Sequence, residues 1–204
     1  MRPSAPPRGG DDLSESRESK KMAIHPEDRD WSGPQGDDPR TLNELLTKAV
    51  GRNQGELMFG TIPAPGAPRI HLTYDEFGQL VDSCSRSLRD AGVGSGDRVA
   101  LIIDNSVEWA AAAYATNSLG AAYTAMYTHQ HGAEWAYILG DSEPTILVAA
   151  NTDVLDKLCE HLPADGWPAA GIVLLGDDVP NASPPAGVNV TPWSQFVAAG
   201  AAAE

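Results

Sequence analysis

From Arg98 onward the chain carries short aliphatic runs that can fold in few ways: RVALII (98–103), TILVA (145–149) and GIVLL (171–175). None alternates apolar with polar residues, so each reads as a strand buried on both faces. AAYTAM (121–126) reads as a further strand of the same set. Between these runs lie helical patterns: SVEWAAAAYATNSL behind the cap Ser106, GAEWAYIL, and TDVLDKLCEHL behind the cap Asn151. A strand buried on both sides needs a helix over each face. The alternation therefore predicts an α/β fold, with a parallel sheet of four strands flanked by helices.

Upstream, TLNELLTKAV (41–50) predicts a short helix with Leu42, Leu45, Leu46 and Val50 on one side. ELMFGTI predicts a strand, PAPGAP a turn, and RIHL a strand that runs into a well-marked helix. Thr73 and Glu76 have the spacing of a capping box. Behind them Phe77, Leu80, Val81, Cys84, Leu88 and Ala91 form an apolar stripe. At the far end, Pro192 after Thr191 opens a last helix. The only two cysteines, Cys84 and Cys159, both fall on inner helix faces, and they read as small core residues rather than nucleophiles or a disulfide framework. A reducing, cytoplasmic setting follows, with peripheral membrane association left open.

Residues 1–40 hold 15 Pro, Gly or Ser and almost no aliphatics, so a disordered leader is expected there, with Met22 an alternative start. The structured part is expected over residues 41–204. Nothing in the polar first residues resembles a signal or transit peptide. The charge-free stretch from Trp109 to Ala133 has Thr116, Asn117, Ser118, Thr124 and Thr128 but one leucine, so no transmembrane segment is expected.

Charge bounds the function. The chain has 14 Lys and Arg against 28 Asp and Glu, which argues against nucleic acid as a partner. Seven of the basic residues lie in residues 1–40, and from Val99 onward Lys157 stands alone against 12 carboxylates. Bound phosphates need cations or a metal to offset their charge. The second half has almost no such cations.

Gly92, Gly94 and Gly96 invite a phosphate-loop reading, but they follow a helix and precede a strand, the reverse of the order such loops need. The third glycine of a dinucleotide fingerprint would fall on Asp97. Gly92 is expected just past the helix end in the left-handed conformation, with Gly94 to Asp97 turning the chain into the next strand.

In a doubly wound sheet, function sits in the loops that follow the strands. Asp104, Asn105 and Ser106 follow the first strand, and the Asp104 carboxylate would repel a phosphate, so capping is the expected role. The loop Tyr127 to Glu134 holds His129, His131 and Glu134 without a third strong ligand at a metal-site spacing, and exposed polar residues are expected. Asn151 to Asp153 reads as a cap. No nucleophile, base and oxyanion donor assemble. No catalytic, cofactor-binding or metal-ligating residue is assigned.

LTYDEF, AGVGSGDRVALIIDNSVEW, NSLGAAYTAMYT and EWAYILGDSEPTILVAAN together resemble the N-terminal part of the large domain of the adenylate-forming enzymes. MYTHQHGAEWAYILGDS is similar to the fatty acyl-CoA synthetase branch in particular, with Ala125 a departure where many relatives carry proline. The resemblance covers about Thr41 to Glu204 and implies a two-step reaction. ATP and a fatty acid or other carboxylate give an acyl-adenylate and pyrophosphate, and the sulfur of CoA then displaces AMP. It also implies ATP, Mg and CoA as the family's cofactors. The family's Ser/Thr/Gly-rich lysine loop, adenine-stacking motif, ribose-binding aspartate and C-terminal lysine match nothing in this chain. In relatives that loop soon follows a segment like TPWSQFVAAG (191–200).

The expectation is thus an N-terminal synthetase fragment, inactive alone and binding no cofactor by itself, that docks to a missing C-terminal part or a paralogue. A molten, poorly soluble chain would follow if later elements normally cover the sheet. Two alternatives stand beside it. One is a stand-alone α/β binding or signalling module, although a receiver-like domain needs clustered acids where Asp104 is alone and a lysine beyond Lys157. The other is a non-catalytic partner of a full-length synthetase.

Overall fold

The computed structural model describes residues 36–61, 69–163, 167, 169–176 and 188–203. The leader expected over residues 1–40, with Met22, lies outside these except at its last residues, and the whole PAPGAP turn lies outside them. In chain order the elements are α1 (Leu42–Arg52), β1 (Leu57–Thr61), β2 (Ile70–Thr73), α2 (Tyr74–Asp90), β3 (Arg98–Ile102), α3 (Val107–Ser118) and β4 (Ala122–Met126). They continue as α4 (Gly132–Ser142), β5 (Ile146–Ala149), α5 (Thr152–Cys159), β6 (Gly171–Leu174), β7 (Asn189–Pro192) and α6 (Trp193–Ala202).

The aliphatic runs pair as a parallel sheet in the order β4-β3-β5-β6-β7, while β1 and β2 form a separate antiparallel pair. The period of two along each strand divides the core. Val99, Leu101, Ile103, Ile146, Val148 and Val173 join side chains of α1, α2, α3 and α6 in one cluster. Ala100, Ile102, Leu147, Ala149, Ile172 and Leu174 join those of α4 and α5 in the other. This is why the runs do not alternate: both faces are dry.

The sheet has five strands where four are expected. The fifth, β7, is an outer strand that among the described residues pairs only with β6, and it ends on Pro192, which has no N–H to donate. Four residues with no apolar rhythm carry no strand signal, so their pairing depends on tertiary contact. Two further expectations are corrected by burial. Ala91 is exposed because α2 ends at Asp90 and Ala91 is its cap residue. In α1 only Leu46 is buried, whereas Leu42 and Leu45 stay about half exposed at 50% and 47%.

Helix ends follow the sequence closely. The Thr73 hydroxyl accepts from the Glu76 N–H while the Glu76 carboxylate accepts from the Thr73 N–H at 2.8 Å, completing the capping box. At the other end of α2, the Val93 N–H reaches the Leu88 carbonyl and the Gly92 N–H the Arg89 carbonyl, each at 2.9 Å. With Gly92 at φ +93°, this is a Schellman ending, and Val93 and Leu88 are both buried beneath it. Farther on, α6 lies so close to α2 that a Cβ on Gly200 would sit 2.0 Å from the Ser83 carbonyl oxygen. The Ser87 hydroxyl donates to the Phe196 carbonyl across the same contact, and Arg86 donates to Gly200 O at 3.1 Å. Among the described residues no helix is long and apolar enough to cross a membrane.

Candidate functional site

All five strands of the main sheet point the same way, so their carboxyl ends share one edge, where ligands of open α/β sheets bind. The glycine run lies at the opposite edge. There the Gly94 N–H donates to the Asp97 carboxylate at 2.7 Å and the Gly96 N–H to the Gly120 carbonyl at 3.0 Å. These amides are used up within the turn, and none is left to cradle an anion. Gly92, Gly94 and Gly96 are turn residues, as their order in the chain implies.

At the carboxyl edge, β3 delivers Asp104 and β4 delivers the loop from Tyr127. The Thr128 hydroxyl donates to Asp104 Oδ1 at 2.5 Å and ties the two loops together. The Tyr127 N–H donates to Gln130 Oε1 and its carbonyl accepts from Trp135 Nε1, both at 3.0 Å. Trp135 is fully buried, so it anchors this loop to the core from below. A cavity of about 250 Å³ opens between Asp104, Asn105, Trp109, Ala125, Met126 and Tyr127. Its walls are apolar and aromatic, with one carboxylate and one amide. It could hold an apolar group that presents a hydrogen-bond donor. It has no nucleophile with an adjacent base, and its charge has the wrong sign for phosphate.

The helix starts at this edge behave unequally. Ser106 accepts from the Trp109 N–H and Asn151 from the Val154 N–H, each at 3.1 Å, so α3 and α5 are capped by their own side chains, as read from the sequence. The start of α4, at His131, has no side-chain cap. Beside it a second, open cavity of about 490 Å³ gathers His129 and His131 from the loop with Lys157 and His161 from the end of α5. The sequence reading placed His129 and His131 on an exposed loop, and they are exposed. It did not bring Lys157 and His161 to them. The local sign was Gly132, where a Cβ would stand 2.5 Å from His161 Cδ2 and 2.9 Å from the Lys157 carbonyl. Glu134, weighed with the two histidines, does not line this cavity. Among the described residues no three His, Cys, Asp or Glu side chains are grouped to hold a metal ion.

Neither cysteine is poised to react. Burial pushes the Cys84 thiol up to about 12, and burial followed by the Asp156 charge raises that of Cys159, so both stay protonated at neutral pH.

Comparison with known proteins gives a family and a fold. The family profile described as "AMP-binding enzyme" matches residues 56–199. The chain is 32% identical over 91 residues to the long-chain-fatty-acid–CoA ligase FadD13 of Mycobacterium tuberculosis, a match covering 44% of this chain and 18% of that one. It is 30% identical over 125 residues to the L-proline–[L-prolyl-carrier protein] ligase of Streptomyces coelicolor, covering 61% and 23% respectively. The chain therefore spans under a quarter of the length of these curated relatives. Among solved structures, an acyl-CoA synthetase of Brucella canis superposes with a TM-score of 0.59 at 22% identity, over 76% of this chain and 27% of that one. A benzoate CoA ligase of Burkholderia xenovorans gives a TM-score of 0.58 at 16% identity, over 77% and 28%. At these identities the likeness is one of fold.

Proposed function

This chain belongs to the AMP-binding enzyme family, and on that premise we propose that it forms the N-terminal, sheet-bearing part of an acyl-CoA synthetase and does not adenylate a carboxylate alone. The structured part of that unit runs over residues 41–204. The complete reaction joins a fatty acid to ATP, releases pyrophosphate, and passes the acyl group to the sulfur of CoA.

One observation supports the proposal: the scarcity of Lys and Arg after Arg98, where a magnesium–triphosphate would need cations. Lys157 is the sole Lys or Arg after Arg98, the glycine amides are consumed in a turn at the other edge, and Asp104 faces the apolar cavity. No step through ATP is assigned to these residues. A fatty acid is favoured as the acid because long-chain ligases stand among the relatives, although the prolyl-carrier ligase shows that relatives also activate amino acids.

The direct test is ATP–pyrophosphate exchange by the purified full chain with long-chain fatty acids. No exchange above the fatty-acid-free blank is expected. Exchange that saturates with fatty acid would overturn the proposal.

A non-catalytic role docked on a longer synthetase is favoured by a different observation. Leu42, Leu45, Leu57 and Ile70, all in the first elements, are each about half exposed at 47–57%. Co-purification with a longer paralogue in cytoplasmic extracts is the expected result, and a strictly unaccompanied chain would count against it.

A further inference from the structure

The cavity at the start of α4 differs in charge from the rest of this acidic chain. Three of its five histidines, His129, His131 and His161, line it together with Lys157. No carboxylate lines it, although Asp and Glu outnumber Lys and Arg by 28 to 14. The four side chains are exposed and form no hydrogen bond or ion pair with other described residues.

We infer that this cavity is an oxyanion site for a single phosphoryl group of the phosphate-monoester class. At 490 Å³ it has the volume of a small-molecule site. Lys157 supplies a positive charge, and the three imidazoles bring ring nitrogens to the same opening. The start of α4, uncapped by any side chain, presents its dipole to the same opening. The close approach at Gly132 fixes the distance between α4 and the end of α5, so the loop histidines and the α5 cations face one ligand.

The acids on the bordering elements are Glu134 and Asp141 in α4, Asp153, Asp156 and Glu160 in and after α5, and Asp104 beyond Thr128. One phosphoryl group on four side chains is a different site from a magnesium–triphosphate cradle, and the inference stands whether or not the chain serves an acyl-CoA synthetase.

The experiment follows the imidazole Hε1 resonances of the full chain by NMR during titration with sulfate, a dianion throughout the range used. The titration is repeated with methyl phosphate and with acetate, at constant ionic strength. At pH 6, His129, His131 and His161 are expected to shift saturably while His71, on β2, stays still. Methyl phosphate should bind more tightly than acetate. Lys157→Gln and His131→Gln should each weaken binding at least severalfold without changing the unfolding temperature. Equal movement of His71, acetate binding as tightly as methyl phosphate, or unchanged binding in both variants would each overturn the inference.

Discussion

The two edges of the parallel sheet use their polar groups in opposite ways. At the amino edge nearly everything is spent internally. Arg98 donates from Nε to the Ser142 carbonyl at 2.6 Å, from Nη2 to the Glu143 carbonyl at 3.1 Å and from Nη1 to the Gly96 carbonyl at 3.2 Å. It thereby holds the end of α4, where Glu143 alone among the described non-glycine residues has a positive φ, of +44°. Gly94 and Asp97 close their own turn. At the carboxyl edge the basic side chains His129, His131, Lys157 and His161 have no partner among the described residues, and the Tyr127 ring is 78% exposed. Fold-holding groups have finished their bonding, and groups available to a ligand have not. Composition alone points the other way, since the glycine-rich stretch looks like a site and the histidine loop like surface.

The contrast predicts that substitutions supporting the amino edge and its covering helices lower stability and leave ligand binding intact, while those at the carboxyl edge do the reverse. The largest loss is expected for Gly200→Ala, because its Cβ would overlap the Ser83 carbonyl oxygen and force α6 off α2. About 3 kcal/mol of stability should disappear in urea unfolding. Arg98→Ala should cost about 2 kcal/mol, for three lost hydrogen bonds that are partly open to water. A value near zero would show that the amino edge is less committed than its geometry suggests.

Thr73→Ala should cost about 1 kcal/mol through the lost cap, and it should also alter the response to acid. The Thr73 N–H lowers the pKa of Glu76, and the Gly55 N–H lowers that of Asp75. A carboxylate whose folded pKa lies below its unfolded one contributes stability at pH above the unfolded value and loses it as pH falls through the folded value. That contribution is therefore complete at neutral pH and declines only below the ordinary carboxylate range. The variant keeps that N–H and loses the Thr73 hydroxyl, which donates to Glu76 Oε2 at 2.8 Å and lowers its pKa further, so it should lose only the hydroxyl's share, read as a slightly shallower drop in midpoint on acidification. The smallest effect on stability is expected for Lys157→Gln, within about 0.5 kcal/mol, as for other exposed positions. This is the variant expected to lose anion binding.

Much of the fold was legible because its signals are local. The dry strands announce themselves at Val99–Ile103 and Ile146–Ala149, and Thr73, Ser106 and Asn151 cap the helices they precede. Gly92 ends α2 as its position implies. What escaped depends on tertiary contact: β7 is a strand only because β6 lies beside it, and Leu42 and Leu45 remain open although their spacing matches that of buried Leu46. The site was less legible for the same reason. His131 and His161 lie 30 positions apart and meet through the packing of α4 on α5, which no spacing rule encodes. Only Gly132 marked that contact, and a lone glycine at a helix start is an ambiguous sign.

Calorimetric titration of the full chain with magnesium–ATP bears most directly on the claim that this unit carries the family's sheet but not its nucleotide chemistry. The expected trace shows dilution heat alone up to millimolar nucleotide. A saturable isotherm in the micromolar range would mean that these residues build a triphosphate site after all.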